Sequence, residues 1–261
     1  MIVVKFGGHA MTDANGHFAS AIAQAVEKGN QIVIVHGGGP QINAALEAAG
    51  IESTFVGGYR VTTPEIYEIV EQVLAKEIGP AIANSLLKIG VNAVAISGRS
   101  SESLIAEPQR ALLDGTVADL GLVGIITAVN PQAIRNALKG GQVPVISPVA
   151  TAEDFRGGLN VNADIAAAAI AGALTATVLV IMTDVPGIYR NWPDASSLIN
   201  EISAKELFEI KRSFAQGMAP KVQACLDAIS VGAQAVRIID GTDPKSFALA
   251  LNNSGGTLVT K

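Results

Sequence analysis

Cysteine, aromatic residues and surplus positive charge are all scarce in this 261-residue chain, which has one cysteine and 4% aromatic residues. The single thiol, Cys225, cannot close an internal disulfide, and no Cys/His cluster is spaced for zinc. Neither a disulfide scaffold nor a zinc module is therefore expected. With 18 Lys and Arg against 23 Asp and Glu, the formal net charge is −5. No basic surplus exists to displace counterions, which argues against a nucleic-acid binder. A secretory signal is also missing, because Lys5 and Gly7-Gly8 interrupt any apolar stretch at the N-terminus. A cytoplasmic setting is expected.

One long uncharged run, Ile165 to Met182, meets the length of a membrane span. Asp164 and Asp184 bracket it, and no Lys, Arg or Trp anchors its ends. Its first half is alanine-rich and its second half β-branched. It therefore predicts a helix, a break near Gly172 and a buried strand.

What the chain does have is apolar residues, 49% of the total and dominated by small and aliphatic types. Short apolar runs alternate with helical patterns from end to end. Strands are expected at Ile2 to Phe6, Gln31 to Val35, Val91 to Ser97, Val143 to Val149, Val178 to Met182, Ala235 to Ile239 and Thr257 to Thr260. Helices are expected between them, including Phe18 to Lys28, Pro40 to Ala49, Ala163 to Ala173, Pro220 to Val231 and Pro244 to Leu251. Pro64 to Gly90 reads as helical with a break or kink at Gly79-Pro80. Leu104 to Val129 reads as one or two hairpins. This order predicts an α/β fold with a mostly parallel sheet, helices on both faces and ligands beyond the carboxyl ends of the strands.

Those strand ends carry the chemistry. Lys5-Phe6-Gly7-Gly8 closes the first strand, and His36-Gly37-Gly38-Gly39-Pro40 closes the second. Glycines there let backbone N–H groups approach an anion, although either cluster alone also suits a tight turn. Neither is a Walker A loop or a dinucleotide fingerprint. Asn160-Val161-Asn162-Ala163-Asp164 places two amides and a carboxylate before an alanine-rich helix. That set suits an oxygen-rich ligand and a nearby ammonium, with a plain helix cap as the alternative for Asp164. Thr183-Asp184-Val185-Pro186-Gly187 follows the most apolar strand and also fits a simple turn. Lys221 begins a helix, the unfavourable end for a cation unless an anion is bound, and a surface lysine is the alternative. Arg60 has the fork geometry for a carboxylate. His36 is expected as a hydrogen-bonded turn residue, and His9 and His17 are left unassigned.

In this order the segments resemble the amino acid kinase family, and within it the branch that phosphorylates N-acetyl-L-glutamate in arginine biosynthesis. The resemblance covers the whole chain. It also includes Gly58-Tyr59-Arg60-Val61-Thr62, Leu122-Val123-Gly124, Val129-Asn130-Pro131 and Gly217-Met218. It implies a three-layer αβα sandwich, with a substrate lobe over about residues 1–173 and a nucleotide lobe over about 174–261. Lys5 and Lys221 would flank the transferring phosphoryl group, with Asp164 orienting both. Gly38 and Gly39, Arg60, Asn160 and Asn162 would bind the acceptor. Gly7, Gly8, Thr183, Asp184, Val185, Pro186, Gly187, Ile188, Tyr189, Ser213, Phe214 and Ala215 would lie along ATP. Mg2+ would be held mainly through the nucleotide phosphates, with no metal site of the protein's own.

Two departures from the pattern stand out: Thr63, where an aspartate is usual, and Ser97-Gly98-Arg99-Ser100-Ser101, where a more acidic turn is usual. The alternatives are a kinase for carrier-protein-linked aminoadipate and a non-catalytic amino-acid sensor. The net charge disfavours the first, and the presence of Lys5, Asp164 and Lys221 disfavours the second. The resemblance further implies a homodimer insensitive to arginine.

Overall fold

The computed structural model of the chain describes residues 1–7, 16–112, 115–154, 156–214 and 219–261. In chain order it opens with β1 (Ile2–Phe6), α1 (His17–Glu27), β2 (Ile32–His36) and α2 (Gly39–Ala48). A hairpin of β3 (Phe55–Val56) and β4 (Tyr59–Arg60) follows. Its two-residue turn is Gly57-Gly58 with φ of 56° and 87°, the left-handed geometry that matches strand twist and that glycine adopts without strain.

Next come α3 (Pro64–Glu71), a π-helical segment at Gln72–Ile78, α4 (Gly79–Lys88) and β5 (Ala93–Ser97). The kink expected at Gly79-Pro80 takes the form of this π segment. Pro80 has no N–H to return to the preceding turn, and the Gly79 N–H reaches back five residues to the Leu74 carbonyl. The helical path continues without a break.

The middle of the chain comprises β6 (Leu104–Pro108), β7 (Val123–Val129), α5 (Gln132–Lys139), β8 (Val143–Ser147), β9 (Val149–Ala152) and β10 (Gly158–Val161). The expected strand from Val143 to Val149 is thus divided at Pro148. α6 (Ala163–Ala173) and β11 (Val178–Thr183) then account for the long uncharged run as the expected helix and strand. Gly172 lies inside the helix, where a Cβ would meet the Val231 carbonyl, and the break comes at Thr175 (φ 51°). Among the described residues no helix is long and apolar enough to cross a membrane. The chain ends with β12 (Glu201–Ser203), α7 (Ala204–Ile210), α8 (Ala219–Ser230), β13 (Ala235–Asp240), α9 (Pro244–Leu251) and β14 (Thr257–Thr260).

Eight strands form one sheet in the order β12-β14-β13-β11-β1-β2-β8-β5. All its pairs are parallel except β13 with β14. Strands buried on both faces read as continuous apolar runs, and β1 shows why. Val3 packs with Val33, Leu179 and the alanines of α6 on one face. Ile2, Val4 and Phe6 pack with Phe18 and Ile22 of α1 on the other. The result is the expected three-layer αβα arrangement. A separate four-stranded closed barrel, β10-β7-β6-β9, stands where hairpins are expected. The β6–β7 hairpin is real, and β9 and β10 close it through pairings between distant segments.

Candidate active site

Strand register brings the glycine segments to one edge of the sheet. Lys5 lies beside Val35 of β2 and Ile181 of β11. The loops after Phe6, His36 and Thr183 therefore leave side by side, at the spacing of neighbouring strands. Side chains alternate along β1, so Lys5 shares the face of Val3 and projects toward α6. There its Nζ lies 3.2 Å from Asp164 Oδ1. That oxygen is buried and forms no hydrogen bond, so the contact is an ion pair out of line for one. Asp164 lies in the first turn of α6. The cap itself is Asn162, whose Oδ1 accepts from the backbone N–H of Asp164 (2.8 Å) and of Ile165 (3.4 Å). The side-chain oxygen of Asn162 is thus committed to the helix.

A cavity of about 280 Å³ opens at this edge, at the small end for ligand pockets, which suits a small metabolite. Lys5, Gly7, Gly38, Gly39, Arg60, Asn160, Asn162 and Asp164 all line it, a convergence of residues from well-separated parts of the sequence. Arg60 is 7% exposed. Its Nη1 donates to Ser53 Oγ (2.5 Å), its Nη2 donates to Asn43 Oδ1 (2.6 Å), and its guanidinium lies 4.6 Å above the Phe55 ring centre. None of the ion pairs among the described residues involves Arg60. Burial pulls its pKa below the ordinary arginine value, the mark of a cation whose water has been only partly replaced. A buried guanidinium held by neutral partners favours an incoming carboxylate. Asn160 Nδ2 donates to Thr62 Oγ1 (3.1 Å), which in turn donates to the Arg60 carbonyl (2.8 Å). This ties β10 to the hairpin.

The second lysine is placed differently from the expectation. Lys221 is in the first turn of α8, but it pairs with Asp184 Oδ1 at 3.3 Å rather than with Asp164. Neither Lys221 nor Asp184 lines the cavity. The 183–189 loop that carries Asp184 is anchored at its ends. Thr183 Oγ1 accepts from the Val185 N–H (3.2 Å), and the Ile188 N–H donates to Thr257 Oγ1 (2.8 Å). Buried Tyr189 meets the exposed Trp192 edge-on at 4.9 Å. Ser213 closes a short 3-10 turn and Phe214 is buried. Gly8 and Ala215 fall outside the described residues, as do Gly217 and Met218.

Both departures from the family pattern have local explanations. Thr63 is the N-cap of α3, accepting from the Ile66 N–H at 3.2 Å, a task that Thr and Asp share. In the Ser97–Ser101 turn, Ser97 Oγ accepts from the Ser100 N–H, and Arg99 pairs with Glu71 at 2.7 Å. Asn43, Ser53 and Phe55 join the site without any sequence signal. They lack a motif and acquire their places only through tertiary contact.

The sequence profile of the amino acid kinase family matches residues 1–240. The chain belongs to that family. This member is 44% identical over 259 residues to the acetylglutamate kinase of Leifsonia xyli subsp. xyli, covering 98% of this chain and 86% of that one. It is 42% identical over 266 residues to the acetylglutamate kinase of Rhodococcus jostii, covering 100% and 85%. The fold of this amino acid kinase also matches N-acetylglutamate synthase from Neisseria gonorrhoeae complexed with coenzyme A and N-acetyl-glutamate. That match has a TM-score of 0.84 and 24% identity, and it covers all of this chain but 59% of that longer protein. Giardia carbamate kinase matches with a TM-score of 0.75 at 18% identity, covering 100% and 98%.

Proposed function

We propose that this amino acid kinase transfers the γ-phosphoryl group of ATP to the side-chain carboxylate of N-acetyl-L-glutamate, giving N-acetylglutamyl 5-phosphate and ADP. The observation that carries this reading is the buried Arg60, without a carboxylate partner among the described residues, in the same small cavity as Lys5. The names of relatives 40–44% identical over nearly the whole chain support the acceptor.

Arg60 and Asn160 hold the α-carboxylate, and the N–H groups of Gly38 and Gly39 fix the rest of the acceptor. The side-chain carboxylate is already ionised at neutral pH, so no general base is needed. One of its oxygens bonds to the γ-phosphorus while the bond from phosphorus to the bridging oxygen breaks and its electron pair leaves with ADP. The obstacle is repulsion: two unit charges about 4 Å apart repel by roughly 4 kcal/mol at an effective dielectric of 20. Lys5 offsets it on the acceptor side, with Asp164 holding its ammonium in place. Lys221 offsets it on the donor side, exchanging Asp184 for phosphate oxygens. The acceptor thus draws on residues of about 1–173 and the nucleotide on about 174–261, with Asp184 to Tyr189 and Phe214 along ATP.

Among the described residues no group of three or more His, Cys, Asp or Glu is placed to hold a metal. Asp164 and Asp184 are both ion-paired to lysines. Mg2+ bound with ATP would supply neutralisation of charge on the leaving phosphates. A homodimer is supported by β5, an edge strand with an open ladder, and by the exposed Leu87 and Ile89 at the end of α4. The test of the activity is incubation with ATP-Mg and N-acetylglutamate in hydroxylamine, which traps acyl phosphate as a hydroxamate. Hydroxamate should form with N-acetylglutamate and not with free glutamate or carbamate. No signal with N-acetylglutamate would refute the proposal.

A further inference from the structure

His36 is fully buried at the end of β2, immediately before the glycine loop, and the chemistry above does not use it. Its Nδ1 lies 2.8 Å from the Gly37 carbonyl oxygen, and its Nε2 lies 3.0 Å from Ser147 Oγ. A carbonyl only accepts, so Nδ1 must carry the proton. Burial holds the imidazole neutral, with its pKa lowered to about 4. With Nδ1 protonated, the single proton of the Ser147 hydroxyl is shared between two acceptors, Nε2 and the Leu74 carbonyl of the π-helical segment, each 3.0 Å away. The ring is therefore fixed on both sides.

Two close approaches complete the frame. At Gly79 a Cβ would stand 3.0 Å from Ser147 Oγ and 3.3 Å from His36 Nε2. At Gly38 a Cβ would stand 2.6 Å from a Leu74 methyl and 2.7 Å from an Ile78 methyl. Leu74 thus touches both ends of the arrangement: its carbonyl faces Ser147, and its side chain covers the Gly38 backbone. Across a trans peptide plane, C=O and N–H point in opposite directions. Fixing the Gly37 carbonyl on the imidazole therefore turns the Gly38 N–H away from the ring. That N–H has no acceptor among the described residues, and Gly38 lines the cavity.

We propose that His36 is a positioning residue for the acceptor: through the Gly37 carbonyl it aims the Gly38 N–H at the acceptor's polar atoms, and Ser147 and the π-helical segment lock the ring. This deepens the acceptor reading above and rests on it. Two polar substitutions separate the two contacts of the ring. His36→Asn places an amide N–H where Nδ1 was and keeps the donation to Gly37, losing Ser147. His36→Gln reaches the Nε2 position and keeps Ser147, losing Gly37.

The experiment measures KM for N-acetylglutamate, KM for ATP, kcat and melting temperature in the wild type and both variants. The glutamine variant should raise acceptor KM roughly tenfold or more, the scale of one hydrogen bond to a charged or polar ligand group. Its ATP KM should be unchanged, and the asparagine variant should return acceptor KM close to wild type. Equal acceptor KM in the two variants, or an effect confined to kcat and melting temperature, overturns the proposal. Should the glutamine variant not fold, His36→Leu decides. Removing the donation to the Gly37 carbonyl while keeping the apolar bulk should raise acceptor KM roughly tenfold, and an unchanged value overturns the role. Wild-type turnover is the internal control: its absence defeats the acceptor reading itself, whereas normal turnover with indifferent variants defeats only the role of His36.

Discussion

The two lysine–aspartate pairs each involve the first turn of a helix, α6 for one and α8 for the other, yet they are built differently. Lys5 and Asp164 are 14% and 33% exposed, whereas Lys221 and Asp184 are 23% and 67% exposed. Around the first pair lies a set of hydrogen-bonded polar groups: Arg60 on Asn43 and Ser53, Asn160 on Thr62, and His36 on Ser147. Around the second, the aspartate faces solvent and the loop is fixed mainly at its ends. Buried polar networks are costly to leave half-satisfied, so a satisfied one specifies a single geometry. On the proposed assignment, the acceptor side is accordingly pre-formed and the donor side would complete itself around ATP.

The largest effect that sharpens this contrast should come from the buried lysine. Lys5→Ala is expected to lower kcat on the order of 10²–10³-fold, the scale for a preorganised electrostatic donor. Lys221→Ala should lower kcat similarly but also raise ATP KM. Steady-state kinetics with both substrates checks this, and near-normal turnover in Lys5→Ala would break the comparison at its root.

Acid should next expose the cost of the buried side. The imidazole of His36 has a pKa of about 4 when folded, against an ordinary value of 6.5. Between those values the unfolded chain binds a proton that the folded chain does not. Stability is therefore full above pH 6.5 and falls as pH drops toward 4, by about 3 kcal/mol in all. Denaturant titrations across that window should show the slope in the wild type and lose most of it in His36→Asn.

Arg60→Met should raise acceptor KM by about one to two orders of magnitude, because each hydrogen bond to a charged group contributes about 1.5–3 kcal/mol. Its ATP KM should stay put, and an equal rise in both would erase the distinction between the two sides.

Much of this is legible in local pattern. β1, α6, α9 and β14 run where apolar periodicity and flanking Gly, Pro and Asp place them. Strand-end rules bring Lys5 and the glycine loop to one edge of the sheet, whereas Asn160 reaches the same cavity from β10 of the barrel. The barrel is not legible as a barrel, because β9 and β10 close it through pairings that no local pattern encodes. The partner of Lys221 escapes the sequence for the same reason: the choice between Asp164 and Asp184 depends on how α8 sits against its neighbours. Asn43, Ser53 and Ser147 are ordinary residues on helix, loop and strand, and only the packed chain gives them work.

The smallest expected effect is at Thr63. Replacing this cap by Ala should cost about 1 kcal/mol of stability, while Thr63→Asp should restore it with acceptor KM unaltered. Thermal melting with parallel kinetics checks both halves. A changed acceptor KM in Thr63→Asp would extend the acceptor side to α3.

The central claim, that the side-chain carboxylate attacks while the α-carboxylate is held, is tested most directly by isotope transfer. N-acetylglutamate labelled with ¹⁸O in one carboxylate is turned over in hydroxylamine, which cleaves the acyl phosphate at carbon and leaves the bridging oxygen on phosphate. Phosphorus NMR should show ¹⁸O in the released phosphate when the side-chain carboxylate carries the label, and none when the α-carboxylate carries it. Label arriving from the α-carboxylate, or from neither, would contradict the account.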